Sequence, residues 1–299
     1  MSYTQKVKKE IMKNEELTSL EILGEICSVI KSKNAIFSDK IEIKLENITL
    51  ASRFYGLLQE ATSLRILIKY SISKKFGEHK VYTITVPKQK GFKEFIGQIK
   101  SITNSIIVTQ EELLCGNIRG YFIYSGYVKD PTKEYAMDFF IDSQEGADDF
   151  YSLLLALDKK VFQTIKKSKF LVYLRNSEDI MDLLVNMGSM KEFFKYEETT
   201  MMKDLKNKTI REMNWEVANE TKTLDSANKQ IRMIEYIDKV CGLGALTSVI
   251  EEVAQIRLKY TESSLQEIAD IIGISKSGVK NRFRRLEDFY KELIEEEME

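Results

Sequence analysis

Residues 54–58 read FYGLL and residues 150–154 read FYSLL, so one five-residue pattern occurs twice in the first half of the chain. The flanking sequence matches in type as well. An apolar-periodic helix opens each copy, alternating strand-like runs follow, and the repeated pattern lies on the next predicted helix. Two more strands and a closing helix complete each copy. The predicted order is therefore α-β-β-α-β-β-α, twice, within residues 1–190.

The opening helices are predicted at 19–31 and 111–125, and a half-buried strand at 41–45 alternates apolar with charged residues. Its counterpart at 135–141 alternates in the same way. The later strands are predicted at 64–71, 80–86, 161–166 and 169–175. The closing helices are predicted at 92–102 and 178–187. We expect an α+β fold in which the two halves form a pseudo-dimer, packed through the opening helices with their antiparallel sheets side by side.

The composition excludes several classes of protein. With 43% hydrophobic residues, two prolines and fourteen glycines in 299 residues, the chain has enough apolar content for cores and is not collagen-like or Pro-rich. No run reaches the ~18 apolar residues of a membrane helix, and the start lacks a signal-peptide core. We therefore expect a cytoplasmic, nucleoid-associated protein that does not bind membranes.

Cysteine and histidine usage argues against a metal centre. The three cysteines are far apart and are expected to be buried free thiols, and the single histidine, His79, is expected in a solvated turn. A zinc site and a histidine-based triad are both excluded by these counts. The sequence predicts no cofactor and no metal.

Residues 191–240 are predicted to be a helical linker. The stretch is rich in Lys, Asn, Thr and Glu, and five of its basic residues, at 203, 206, 208, 211 and 222, are interspersed with acids. Solvated helix faces are the favoured interpretation, and phosphate contacts are the alternative. Two glycines in Cys241–Gly244 should break the helix, so a small second domain is predicted at 241–299.

The stretch LQEIADIIGISKSGVKNRFRRLEDFY, residues 265–290, has the spacing of a helix-turn-helix. Gly273 is placed at the sharp turn, where positive φ is needed, Ile274 should fill the turn, and Ser275 should cap the second helix. The apolar positions expected to form the three-helix core are Val249, Val253, Ile256, Ile268, Ala269, Ile272, Val279, Phe283 and Leu286.

The face opposite this core is basic and polar. A basic helix gains affinity for a duplex by releasing counterions from phosphates, and short polar groups near its N-terminus can reach base edges. A three-helix bundle with a merely solvated face is the alternative. Base or near-base contacts are predicted for Lys276, Ser277, Lys280 and Asn281, phosphate contacts for Arg282, Arg284 and Arg285, and a DNA-proximal cap for Ser275.

Across its length the chain resembles the WhiA family of bacterial regulators. The resemblance is carried by Arg119–Phe122 with Gly126–Val128 and Asp130-Pro131, by 214–219 with Lys222-Thr223, and by 275–279 leading to Arg282 and Arg284. It departs at Trp215, where a Cys is common in the family. The resemblance implies a LAGLIDADG homing-endonuclease-like first domain and a sigma-factor-type helix-turn-helix. It also implies a DNA-binding transcription factor linked to sporulation, cell division or chromosome segregation.

The endonuclease likeness can be tested on chemistry. Such nucleases place one carboxylate at the end of each paired helix to hold divalent metals. Aligning the motif ends puts Lys33 and Ser125 at these acid positions, and neither replaces a carboxylate. Rescue by Asp39 or Asp130 is disfavoured, and the outer sheet faces are mixed to acidic. We therefore expect no catalytic residues.

The sequence thus predicts a non-enzymatic, sequence-specific transcription regulator that binds double-stranded DNA at promoter regions. The first domain is expected to contact another regulator or a division protein. A DNA-associated adaptor with only loose DNA affinity is the alternative, and an active endonuclease is the least favoured interpretation.

Overall fold

The computed structural model describes residues 1–13, 16–73 and 79–298. They form two compact units, Met1–Lys203 and Asp204–Glu299, and the boundary between them falls within one long helix. The helices are α1 Tyr3–Ile11, α2 Ser19–Lys33, α3 Ile48–Ala61, α4 Phe92–Ser101, α5 Asn104–Thr109, α6 Glu111–Ser125, α7 Gln144–Ala156, α8 Ser177–Asn186, α9 Met190–Val240, α10 Ser248–Lys259, α11 Leu265–Ile272 and α12 Lys276–Met298. The strands are β1 Lys40–Leu45, β2 Leu67–Ser73, β3 His79–Pro87, β4 Gly126–Val128, β5 Met137–Ile141, β6 Val161–Lys166 and β7 Lys169–Leu174.

The two opening helices, α2 and α6, pack closely against each other, as the pseudo-dimer requires. The contact is close because glycines occur where the backbones approach. A Cβ atom on Gly116 would lie 2.8 Å from Cα of Glu21, and one on Gly120 would lie 2.8 Å from the carbonyl oxygen of Glu25. Gly24 of α2 is crowded in the same way by α6. We call this contact the α2–α6 seam.

Each half contributes an antiparallel sheet, with strand orders β1-β3-β2 and β4-β5-β7-β6. The alternation in the sequence sets which face is covered: Ile41 and Ile43 of β1 are buried, and so are Met137 and Phe139 of β5. The sequence therefore predicted the inward face of both strands correctly, and the α+β fold class is confirmed.

The second half has the full predicted order of elements, and the first half differs by one strand. Gly126 directly follows α6 in an extended conformation and begins β4. Asn34, which ends α2, is left-handed at φ 48°, and only a single bridge joins Ile36 to Ile41. Since β1 begins at Lys40, the short turn leaves no room for a longer strand.

Two short helices of the first unit were not predicted. In α1, Val7 and Ile11 are buried, and the Thr4 hydroxyl donates to the carbonyl oxygen of Val128 at 2.7 Å. The second, α5, directly precedes the seam helix α6. The signal for α1 was present in the sequence, since Ser2 and Gln5 form a capping box at its start.

The second unit is helical. Ile268, Ala269, Val279, Phe283 and Leu286 are buried together in its core, as predicted. Three residues near the end of α9, Met233, Ile234 and Ile237, complete that core.

One core prediction in the second unit was wrong. Val249 is 44% exposed, and Ile250 is buried instead. In α10 the buried set is Ile250, Val253, Ala254 and Arg257, so the inward face is rotated by one residue from the predicted one.

Other local predictions have mixed outcomes. Cys27 is buried, but Cys115 is half-buried and Cys241 is exposed, so the burial prediction is wrong for those two. The backbone of His79 begins β3 and does not lie in a turn. Among the described helices, none combines the length and apolar character needed to cross a bilayer.

Candidate nucleic-acid interface

The turn before α12 has the geometry that a helix-turn-helix requires. Gly273 ends α11 in the left-handed conformation, at φ 76° and ψ 31°, where a side chain would be strained. The Ile274 amide donates to the carbonyl oxygen of Ala269 at 3.0 Å. The Ser275 hydroxyl accepts from the Gly278 amide at 3.2 Å, which satisfies one of the free amides at the start of α12. Ser275 is therefore a capping residue.

The predicted DNA-contacting side chains share one exposed surface of α12, with one exception. Seven of the eight are exposed, namely Ser275, Lys276, Ser277, Lys280, Asn281, Arg284 and Arg285. Arg282 differs, because its guanidinium pairs with the Glu252 carboxylate at 2.7 Å and its side chain is 20% exposed. Arg282 thus ties α12 to α10.

Among the described residues, the four basic side chains other than Arg282 on this surface have no internal partner. Within the described part of the chain, Lys276, Lys280, Arg284 and Arg285 form no ion pair and no side-chain hydrogen bond. Apart from Arg282 with Glu252, the ion pairs that α12 forms among the described residues join Glu287 to Lys229 and to Lys291, further along the helix. The first three turns of α12 therefore present unneutralised positive charge to solvent.

A buried arginine, Arg257, holds the elements behind this surface. Its side chain is 1% exposed, and its Nε donates to Gln230 of α9 at 2.9 Å. A terminal nitrogen donates to the carbonyl oxygens of Tyr260 and Ser263, at 3.3 and 2.5 Å. The guanidinium also lies 5.4 Å from the centre of the Phe283 ring. One side chain thus joins α9, α10, the loop before α11, and α12.

The second half of α9 runs beside the exposed surface of α12, and a groove separates the two helices. On the α9 side the groove is lined by Ser226, Lys229, Gln230 and Met233, and on the α12 side by Ser277, Lys280, Asn281, Phe283, Arg284 and Glu287. A second hollow adjoins it near the start of α12. Sequence reasoning treated the α9 lysines as solvated and missed this arrangement, because it depends on how α9 packs.

The other candidate site lies at the carboxyl ends of the α2–α6 seam. Lys33 is the last residue of α2 and Ser125 is the last residue of α6, as the motif alignment predicted. The Lys33 ammonium pairs with the Asp142 carboxylate at 2.7 Å, and the Ser125 hydroxyl is buried without a partner. Burial raises the pKa of Asp142, but hydrogen bonds from Lys33 and Lys169 outweigh it, and that pKa is lowered.

The two acids considered for rescue are placed differently. Asp39 is exposed in the turn before β1. Asp130 accepts hydrogen bonds from the Thr132 amide and hydroxyl, at 3.0 and 2.6 Å, and these bonds lower its pKa. Asp130 therefore stabilises a turn. In residues 1–13, 16–73 and 79–298, His, Cys, Asp and Glu side chains nowhere group in threes as a metal site needs.

Comparison with known proteins decides the family. A family model described as the WhiA LAGLIDADG-like domain matches residues 115–206, and one described as the WhiA C-terminal HTH domain matches residues 210–290. The chain is 31% identical to the "Probable cell division protein WhiA" of Clostridium perfringens, with 98% of each chain covered. The chain belongs to the WhiA family. The WhiA protein of Clostridium botulinum, with the same printed name, is 29% identical over 98% of this chain and 99% of its own.

The fold is also that of a solved WhiA protein. The crystal structure of full-length DUF199/WhiA from Thermotoga maritima matches with a TM-score of 0.57 at 20% identity, covering 98% of each chain. The region matched by the WhiA HTH model begins inside α9, about thirty residues before the linker was predicted to end. In this WhiA-family chain the second half of α9 thus lies within the HTH match.

A further lysine, Lys8, stands near the acid positions of this WhiA LAGLIDADG-like domain, and sequence reasoning missed it. Its ammonium donates to the carbonyl oxygen of Ile123, in the last turn of α6, at 2.9 Å. Burial, with the positive charge of Lys33 adding to it, lowers the pKa of Lys8 to about 8. Two lysines therefore lie near the seam end where a nuclease of this fold would hold metal.

Proposed function

We propose that this WhiA-family chain is a DNA-binding regulator that acts in cell division, with α12 as the helix that enters the major groove. The names of the relatives support the process, and the HTH match supports the kind of ligand. In this proposal Lys276, Ser277, Lys280 and Asn281 lie at or near base edges. Arg284 and Arg285 bind phosphates, and promoter regions are the target.

The observation that carries the proposal is the unpaired charge on the first three turns of α12. Lysine and arginine side chains that already pair with carboxylates have little left to offer to phosphates. Lys276, Lys280, Arg284 and Arg285 are exposed and unpaired among the described residues, while Arg282 is engaged with Glu252. We therefore leave Arg282 out of the proposed phosphate contacts.

A salt titration tests the electrostatic part. Binding of the full chain to a 30-base-pair duplex of random sequence is measured at several KCl concentrations, for the parent and for Arg284→Ala. Each lost phosphate contact should reduce the slope of log affinity against log salt by about 0.9. Lys239→Ala, which removes an exposed lysine elsewhere on the second unit, should leave the slope unchanged. Equal slopes for all three proteins would refute the assignment.

Sequence specificity needs a second measurement. Crosslinking the protein to DNA in cells, followed by sequencing, should give sharp peaks at promoters. Diffuse coverage would instead favour the loosely binding adaptor. In vitro, changing one base reader such as Asn281 should cost ~1–3 kcal/mol at one base position and leave other positions unaffected.

The same proposal holds that the chain does not cut DNA. The lysine at one acid position is already paired with Asp142, and Lys8 adds a second positive charge nearby. Both repel a divalent cation. Supercoiled plasmid incubated with the parent chain and Mg²⁺ or Mn²⁺ should stay intact, and metal-dependent nicking by the parent chain would overturn this view.

The proposed role of the first unit in binding another protein remains a prediction. The edge strand β2 exposes three apolar side chains, Ile68, Tyr70 and Ile72, each about half exposed or more. Such a stripe is more typical of protein contact than of DNA contact.

A further inference from the structure

A second polar hollow in the second unit lies next to the α12 surface. Asn219, Lys222 and Ser226 of α9 line one side, Ser264 and Lys276 line the other, and the buried Arg257 also borders it. We call it the α9 cleft. Among the described residues no carboxylate lines it, and its polar side chains supply amide, hydroxyl, ammonium and guanidinium donors. The cleft is therefore suited to an anion.

The charge of Arg257 also favours an anion in the α9 cleft. Among the described residues its hydrogen-bond partners are an amide oxygen and two backbone carbonyl oxygens, which carry no negative charge. No described carboxylate pairs with it, and burial lowers its pKa with no countercharge to offset the effect. A buried cation without a countercharge is costly, so an anion in the adjoining cleft would be stabilised there.

The position of the cleft identifies the anion. Ser226 and Leu265 border both the α9 cleft and the groove beside Ser277, Lys280 and Arg284, so the two hollows adjoin each other. A recognition helix in the major groove has a phosphate backbone on each side, because that groove is only about 12 Å wide. A helix running alongside α12 would then meet one of those backbones.

We propose that α9 is a second DNA-contacting element, and that the α9 cleft binds a backbone phosphate through Lys222, Ser226 and Asn219. This inference depends on the proposed function, since it needs α12 in the groove. The contact carries no base information, so it should fix the register and angle of the HTH domain on any sequence. The α9 segment would thus strengthen binding without changing sequence preference.

The test compares matched lysines on one helix. Lys222→Ala and Lys239→Ala each remove one exposed lysine from α9, and neither lysine forms an ion pair within the described residues. Alanine favours helix, so both variants should fold. Full-length proteins are titrated with the same random duplex at several KCl concentrations, together with Lys280→Ala as the reporter of α12 binding. We expect slope reductions of about 0.9 for Lys222→Ala and Lys280→Ala and none for Lys239→Ala.

The possible outcomes separate the two proposals. A reduced slope for Lys280→Ala with parental slopes for Lys222→Ala and Lys239→Ala overturns the inference and leaves the proposed function standing. Parental slopes for all three variants overturn both. Equal loss in Lys222→Ala and Lys239→Ala also overturns the inference, because the effect would then be general charge.

Inorganic phosphate alone separates DNA from a free anion. If phosphate raises the melting temperature of the parent but not of Lys222→Ala, while their DNA slopes are the same, the cleft binds free phosphate and the inference is wrong. A slope change for Lys222→Ala with unchanged base preference in a selection from random duplexes supports the proposed backbone contact.

Discussion

Replacing Gly116 by alanine should destabilise the first unit, because the α2–α6 seam has no room for a side chain there. The added Cβ would lie 2.7 Å from the carbonyl carbon of Glu21 and 2.8 Å from its Cα. Both atoms belong to backbone and cannot rotate away, so one helix must move. Overpacking of this kind costs about 1–3 kcal/mol, and the higher helix propensity of alanine returns about 1 kcal/mol. We expect a net loss of up to about 2 kcal/mol.

The chain provides a control with the same chemical change. Gly56 lies in α3 and Gly97 in α4, and a Cβ on either would meet no atom within 4 Å. At these positions alanine contributes only its higher helix propensity. Gly56→Ala and Gly97→Ala should therefore each raise the free energy of unfolding by up to about 1 kcal/mol. One substitution thus gives opposite signs according to whether the glycine faces the other helix.

Urea unfolding of the full-length proteins, followed by circular dichroism, measures the difference in free energy of unfolding between each variant and the parent. Amide hydrogen exchange in α2 and α6 assigns it to the seam, since protection there should fall in Gly116→Ala and persist in Gly56→Ala. A Gly116→Ala protein at least as stable as the parent, with the seam amides still protected, would show that the helices are not held at this distance.

Three further predictions concern charge. Burial and a nearby positive charge lower the pKa of Lys8 from 10.5 to about 8, so the unfolded chain binds the proton that the folded chain lacks between these values. The free energy of unfolding of the parent, relative to that of Lys8→Met, should therefore rise by up to about 3 kcal/mol between pH 8 and 10.5. Urea titrations of both proteins across that pH range measure it. Arg53 donates twice to the fully buried Glu25, at 2.6 and 2.7 Å, so Arg53→Ala should cost ~3–5 kcal/mol in urea unfolding, and the double variant Arg53→Met with Glu25→Met should lose less. Arg282→Ala should leave the salt slope of DNA binding at its parental value, because that guanidinium is already paired, and a reduced slope would contradict this.

Features that depend on local spacing could be predicted from the sequence. The turn at Gly273 and the inward positions of Phe283 and Leu286 follow from helix periodicity and turn chemistry within a few residues. The error at Val249 has a related cause. Helix α10 carries apolar residues on more than one face, and periodicity alone did not distinguish Val249 from Ile250.

Features that depend on long-range packing could not be predicted. The pair of Lys33 with Asp142 joins residues 109 positions apart, and the bond from Arg257 to Gln230 spans 27. Nothing near either residue in the sequence marks its partner. For the same reason the α9 lysines were interpreted as solvated, because the groove beside α12 exists only once α9 packs on the HTH core.

The charges at the end of the seam show how a nuclease-like fold can be stable without metal. A helix carries a partial negative charge at its carboxyl end, so a carboxylate there is unfavourable unless a cation offsets it. In this chain the positive charges belong to lysine side chains. Lys33 is the last residue of α2, and the Lys8 ammonium donates to a carbonyl oxygen in the last turn of α6. Lys33 occupies one of the two acid positions, and Lys8 lies against the last turn of the helix that carries the other, Ser125. At this end of the seam the Lys33 ammonium pairs with the Asp142 carboxylate, so a positive charge is already fixed where a nuclease of this kind would need an acid to hold metal.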